Sequence, residues 1–390
     1  MSDEDSSTVS PPPSKRIRLA PKNLAPSSAS STTPESVSNG SKGSHQPAVS
    51  LQPWLSYFDF ISDDVLLYLL SHLQALDLCR IAQTSERLHR ISLDPSLWEK
   101  VVVQSSEQPR KPVGVRELTH VIKQMTNRTR SVTIAGFLKA EALRTNLTST
   151  ALKLIGVKAP HVEELILDAC VMDSKKTPLS DIPRTLTRLA LPNCEVMNLP
   201  REHGFFKGID TLFKSLRVLD LTNNRWVSNH SIMAICKLQH LEELNLLGCV
   251  RIGETFAYSA LATKFGFPKL TKLDMRNTSI TDSEVSCYGR LSHLKEYLVG
   301  RSSADMNASC FGEGDGQLSS RGILSLFIQP LKLEKLVMTH CDLDNRHMEV
   351  VGVHGKNLKL IDFRGTQVDL DGYNELRKHL PNCEILYGSD

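Results

Sequence analysis

The sequence predicts an α/β solenoid, a horseshoe of strand-and-helix repeats, preceded by a small three-helix module and a disordered tail. Three observations carry this reading. A frame of apolar, x, x, apolar, x, apolar residues starts at Val162, Leu186, Leu216, Leu241, Leu270, Leu294, Leu333 and Leu358, at intervals of 24 to 39 residues. Ahead of it, residues 60–103 hold three short amphipathic helical patterns. Residues 1–50 contain no Phe, Tyr or Trp and are crowded with Ser and Pro.

The tail, 1–52, sets five basic residues against four acidic ones within residues 1–50 and has too little apolar surface to offset the entropy of folding. Within it "PPPSKRIRLAPK" clusters Lys15, Arg16 and Arg18 beside Leu19, the pattern of a single-cluster nuclear import signal. The alternative is an ordinary solvated basic patch. The expected location is nucleus and cytoplasm.

The helical module, 53–103, reads "FISDDVLLYLLSHLQALDLCRIAQTSERLHRISLDPSLWEKVVV" from Phe60. Ser62 is a helix cap, and Asp63 and Asp64 suit the positive end of the first helix. Val65, Leu69 and Leu73, with Leu66 and Leu70 beside them, give that helix a wide apolar face. A second short helix passes Asp77, Leu78, Ile81 and Ala82, and a third presents Leu88 and Ile91. Asp94-Pro95 then cap and open a turn before Leu97 and Trp98. So small a core needs a neighbour to complete its burial. Residues 104–128 supply a connecting helix, "VRELTHVIKQM", with Val115, Leu118, Ile122 and Met125 on one side.

The repeats, 129–390, begin with a weaker frame, "TRSVTIAGF", and end in a truncated one, "CEILYGSD". "VEELILDAC", "LTRLALPNC", "LEELNLLGC" and "LEKLVMTHC" place Cys170, Cys194, Cys249 and Cys341 ninth, where other frames place Asn224, Thr278 and Thr366. A repeat this short cannot bury its own leucines, so stacking must make the core. The ninth residue turns inward and has to be small and able to satisfy a backbone group. Helical runs lie between frames: "SIMAICKL", with Ile232, Ile235, Cys236 and Leu238 on one face, and "GILSLFIQPL", ended by Pro330. Alternation along each strand sends Glu164, Asp168, Asp220, Glu243, Asn245, Asp274, Arg276, Asp362 and Arg364 to solvent on the concave face. Asp220, Asp274 and Asp362 share one slot, with Asn245 between the first two. Such a row can discriminate a partner by charge pattern. The competing reading is the polar surface any solenoid needs.

Nine Cys, an odd number without a CxxC pair, read as reduced structural thiols in an intracellular chain, with no metal site. The longest apolar run, "VLLYLL" at 65–70, is far too short to span a bilayer. A net charge of +3 does not suggest nucleic acid. P-loop, HExxH and GxSxG motifs are absent from the sequence. The loop "FGEGDGQ", with Gly312, Gly314 and Gly316, carries Glu313 and Asp315, which argue against phosphate, and it reads as part of a surface insertion around 302–316. "HCD", His340 to Asp342, mimics part of a catalytic set, but Cys341 fills the ninth slot of its frame.

The frames with their ninth-position cysteines resemble the leucine-rich-repeat family, in its cysteine-containing variety. The acidic opening helix, "HLQALDL" and the terminal "DPSLW" resemble the F-box, the module that docks substrate receptors onto Skp1. The combination, and the layout past residue 60, is similar to short mammalian members of the F-box/leucine-rich-repeat series, the substrate receptors of one class of cullin-RING ubiquitin ligases. The resemblance implies a non-catalytic subunit with no cofactor, bound to Skp1 and through it to cullin-1 and a RING subunit. It also implies a protein substrate marked for proteasomal degradation, and neither nucleic acid, membrane nor small-molecule substrate. The implied Skp1-binding residues are Ile61, Ser62, Val65, Leu66, Leu69, Leu73, Leu78 and Trp98. Two departures stand out: Ile61-Ser62 replace the family's Leu-Pro, and Leu88, after Ser85, stands where the family has Trp in a Cys-x-x-Trp frame. A different class remains open, a repeat scaffold or inhibitor whose N-terminal helices only cap the solenoid.

Overall fold

The structure, a computed structural model, describes residues 60–104, 106–107, 110–111, 113–137, 144–199, 204–253, 256–301, 318–328 and 332–388. The first helix, α1 (Asp63–Leu70), opens where Ser62 Oγ accepts the Val65 N–H at 3.4 Å. Two arginines of the third helix then fix its entry: Arg87 and Arg90 each reach the Asp63 carboxylate at 2.6 Å, and Arg87 also donates to the Ile61 carbonyl. These hydrogen bonds, led by that from Arg87, hold the Asp63 carboxyl below its usual range. The second helix, α2 (Ala75–Ile81), and the third, α3 (Glu86–Ser92), follow, with Ser85 Oγ capping α3 from the Leu88 N–H. Asp94 caps a 3-10 turn, Pro95–Trp98.

Trp98 is where the helical module meets the repeats. Its ring is buried, its Nε1 donates to the Ser92 carbonyl at 2.8 Å, and its own carbonyl accepts from Thr129 Oγ1 at 2.6 Å. The next residues form β1 (Lys100–Gln104), which pairs in parallel with β2 (Ser131–Ala135). The strand that closes the helical module is also the first strand of the repeat sheet, because its alternate valines, Val101 and Val103, are buried in the same core. Helix α4 (Val115–Gln124) crosses between β1 and β2 and buries Leu118, Val121 and Ile122.

Nine further parallel strands extend the sheet in chain order: β3 (Glu164–Asp168), β4 (Arg188–Ala190), β5 (Val218–Asp220), β6 (Glu243–Asn245), β7 (Lys272–Asp274), β8 (Glu296–Gly300), β9 (Lys335–Thr339), β10 (Leu360–Asp362) and β11 (Glu384–Leu386). Both ends of the predicted repeat series, the weak first frame and the truncated last one, thus contribute strands. Helices such as Ser149–Lys158, Asn229–Ile235, Phe256–Phe265 and Asp282–Gly289 return the chain between strands. In "GILSLFIQPL" a short helix, Ser320–Leu324, tightens into a 3-10 turn, Ser325–Ile328; Pro330 lies outside the described residues. No helix among the described residues is long and apolar enough to cross a membrane.

Three positions of the frame explain why the sequence folds this way. The first, fourth and sixth, for example Leu241, Leu244 and Leu246, are fully buried between neighbouring repeats, each worth about 1.5–3 kcal/mol relative to exposure. The ninth residue satisfies a strand-end carbonyl. Cys194 Sγ donates to the Leu167 carbonyl at 2.9 Å and Cys249 Sγ to that of Leu221 at 3.0 Å, both from the preceding repeat, whereas Thr278 and Thr366 serve their own strands. Asn224 does both jobs, donating to Leu191 and Leu221 at 2.7 and 2.8 Å. The eighth position is left-handed in Ala169, Asn193, Asn223, Gly248, Asn277, His340 and Gly365, which is why Asn and Gly recur there. Asn224→Ala should cost about 1–3 kcal/mol, because the Leu191 carbonyl loses its side-chain donor and that of Leu221 keeps only the Cys249 thiol. Cys249→Ala should cost less, the thiol being a weak donor. A urea midpoint no lower for Asn224→Ala than for Cys249→Ala would contradict this account.

Candidate functional site

Two surfaces present side chains to a partner. The first is the outer side of α1. Leu66 and Leu70 face the core, while Val65, Tyr68 and Leu69 point away from it at 48, 66 and 46% exposure. The apolar positions of this helix are thus divided between two faces, one packed and one open. Leu73 lies beyond the helix end at Ser71 and, with Phe60, extends the open face. Ile61 is half-buried and Ser62 is engaged as the cap. Leu66, Leu78 and Trp98, expected to contact a partner, are buried in the module itself. They support the open face of α1 and do not form it. Tyr68, in the last turn of α1, and Phe60, ahead of its cap, are exposed aromatic residues that apolar spacing did not single out.

The second surface is the concave face. Strand register aligns Asp220, Asn245 and Asp274 as expected, then Leu298 and Val337, and only then Asp362. The row is therefore interrupted by two apolar residues. Nor are its carboxylates equally open. Asp274 is bound by both the Nε and Nη2 of Arg276, and Asp362 likewise by Arg364, leaving the two aspartates only 6 and 4% exposed. The hydrogen bonds that Arg276 donates to the Asp274 carboxylate raise the Arg276 pKa. Each of these slots also does local work, because a side-chain oxygen accepts the N–H two residues on: Thr222 for Asp220, Leu247 for Asn245, Arg276 for Asp274 and Arg364 for Asp362. The recurrence of Asp and Asn is a turn cap.

A parallel row one step earlier alternates in sign. Glu164 faces Arg188 at 3.1 Å, and Lys272 lies 3.7 Å from Glu243 and 4.0 Å from Glu296. Glu164 also accepts from Ser131 Oγ, and Asp168 from Asn193. Arg188, Lys272, Glu296 and Lys335 were not among the expected site residues, though the third residue of every frame marks the row they occupy. Between β4 and β9 these two rows line a trough of about 320 Å³.

The F-box-like domain family matches residues 63–104, the span of α1 to α3 and β1. F-box/LRR-repeat protein 12 of Homo sapiens is 27% identical over 215 residues, covering 48% of this chain and 63% of that protein. F-box/LRR-repeat protein 4 of Bos taurus is 23% identical over 280 residues, covering 66% of this chain and 44% of that protein. The chain thus carries an F-box-like domain and is similar to proteins named as F-box/LRR-repeat proteins. It spans less than two thirds of the length of these relatives. Among solved structures, an internalin from Listeria monocytogenes is similar at 13% identity over 69% of each chain, with a TM-score of 0.41.

In this chain the "HCD" triplet presents no exposed thiol. Cys341 is buried, its pKa pushed up to about 12 by desolvation, and His340 occupies the left-handed eighth position. Cys249 is likewise pushed up to about 12. Among the described residues no group of three His, Cys, Asp or Glu is placed to hold a metal. Lys15, Arg16 and Arg18 and the insertion around 302–316 lie outside the described residues.

Proposed function

We propose that this chain is a substrate receptor of a Skp1-cullin-F-box ubiquitin ligase. The helical module docks on Skp1, which carries cullin-1 and a RING subunit, and the concave face holds the protein to be ubiquitinated for proteasomal degradation. The observation that carries the reading is the open apolar face of α1, Val65, Tyr68 and Leu69, on a helix whose opposite face is already packed. Exposed apolar surface of this kind, next to a rigidly clamped helix entry, is suited to a protein partner. The F-box-like match and the two F-box/LRR relatives support the same partner class. The chain performs no chemistry itself in this role. Tethering raises the concentration of substrate lysines beside a charged conjugating enzyme and orients them.

A second reading rests on Trp98 and β1, which close the first end of the sheet: a scaffold or inhibitor in which the helical module is only a cap. Affinity capture of the tagged full chain from cells separates the two. Skp1 and cullin-1 are expected in the captured material under the receptor reading, and their absence decides for the cap.

The basic cluster is proposed to distribute the chain between nucleus and cytoplasm. Changing Lys15, Arg16 and Arg18 to Ala should shift a fluorescent fusion toward the cytoplasm without changing its melting temperature. A mutant as nuclear as the wild type would leave the cluster as solvated charge.

A further inference from the structure

The trough on the concave face holds two charged groups that form no ion pair within it, Asp220 toward one end and Lys335 at the other. Arg188 is matched by Glu164, Arg276 by Asp274, and Lys272 sits between Glu243 and Glu296. Asp220, on β5, has no cationic partner among the described residues; its Oδ1 takes the Thr222 N–H and hydroxyl at 3.0 and 2.6 Å, and its Oδ2 takes no hydrogen bond there. Lys335, on β9, stands beside Glu296 in the sheet register, but among the described residues it forms no ion pair, Glu296 lying 4.0 Å from Lys272 instead. Asn245 uses its Oδ1 on the Leu247 N–H, which leaves its Nδ2 directed to no described group. All three line the same trough.

We propose that the trough takes an extended segment of the protein substrate carrying a basic and an acidic residue about four to six positions apart. The basic residue sits on Asp220, the acidic one on Lys335, and Asn245 meets the peptide backbone between them. The spacing follows from the sheet. Asp220 and Lys335 are four strand intervals apart, about 19 Å along a flat sheet at about 4.8 Å each, shortened on the inner side of a curve, and an extended chain advances about 3.3 Å per residue. A segment with two like charges would leave one end of the trough facing its own sign, which is how such a surface rejects partners. This inference rests on the substrate-receptor reading for its physiological meaning, and deepens it by naming the class of segment.

The turn caps determine which variants test it. Asp220→Lys or Asp274→Lys would remove a cap along with a charge, whereas Asp220→Asn retains the cap, as Asn245 demonstrates one repeat later. The experiment is panning of a phage-displayed library of random linear peptides on the immobilised full chain, wild type, Asp220→Asn and Lys335→Gln. The wild type should enrich peptides with opposite charges four to six residues apart. Asp220→Asn should lose the selection for the basic residue alone and Lys335→Gln that for the acidic residue alone. The affinity of the best wild-type peptide, by fluorescence polarisation, should fall about threefold to fivefold in each variant, the weight of one partly exposed ion pair. Enriched peptides without this spacing, or the same peptides selected by all three proteins, would overturn the proposal. The readout uses neither Skp1 nor ubiquitin, so its failure leaves the ligase reading standing. Failure to capture Skp1 would instead remove that reading and leave the peptide selection intact.

Discussion

Leu69→Asp should reduce Skp1 binding by at least about thirtyfold while the melting temperature of the chain stays within a degree or two of the wild type. Leu69 is 46% exposed and Leu73 36%, so neither is needed to fill the core, and a charge at either position remains hydrated in the free chain. The cost arises only when a partner covers the helix. An aspartate closed into an apolar contact without a counter-charge loses hydration worth several kcal/mol, and central apolar anchors of protein interfaces cost about 2 kcal/mol or more when disrupted. Leu73→Asp, at the edge of the face, should weaken binding less. Titration calorimetry with Skp1 and a thermal melt of the purified chain give the two readouts. Retention of wild-type affinity by the double variant Leu69→Asp/Leu73→Asp would remove α1 as the docking element.

Trp98→Ala should act in the opposite way, costing about 3–5 kcal/mol of stability and lowering Skp1 binding only as a consequence of unfolding. The indole is almost fully buried, and both its Nε1 and the adjacent backbone carbonyl hold the end of α3 to the start of the repeats. Its loss leaves a cavity at the junction and frees the Ser92 carbonyl. Since β1 pairs directly with β2, the damage should spread into the first repeat and expose its amides. Hydrogen exchange localises this: faster exchange in both α3 and β2 is expected. Loosening confined to the helices would show that the module and the repeats fold as separate units. Trp98→Phe retains most of the ring volume, and its cost should fall between the wild type and Trp98→Ala.

The repeat architecture was legible because its grammar is periodic. A leucine that recurs at the first, fourth and sixth positions can be covered only by the next copy, and the ninth-position Cys, Asn and Thr announce an inward turn that needs a small donor. Even the left-handed eighth position was written in the recurring Asn and Gly, although it takes the backbone to show why they stand there. The helix caps at Ser62 and Asp94 were equally local, decided by residues two or three apart.

What the sequence did not determine was which way a side chain faces once several segments compete for it. All six residues from Val65 to Leu70 of α1 are apolar or aromatic, and their sequence does not rank them. Contact with α3 draws in Leu66 and Leu70 and leaves Val65, Tyr68 and Leu69 outside. The same limit governs the concave face. Asp220, Asp274 and Asp362 share a slot by register, but whether each carboxylate is open depends on the residue two places on: Thr222 leaves Asp220 one free oxygen, while Arg276 and Arg364 close over the other two. Lys335 gains its significance only because strands five to nine place it opposite Asp220 across one trough. Periodicity and caps are properties of neighbouring residues in the chain, so the sequence alone determined the fold. Burial and charge pairing depend on residues brought together from different repeats, and only the tertiary structure could decide them.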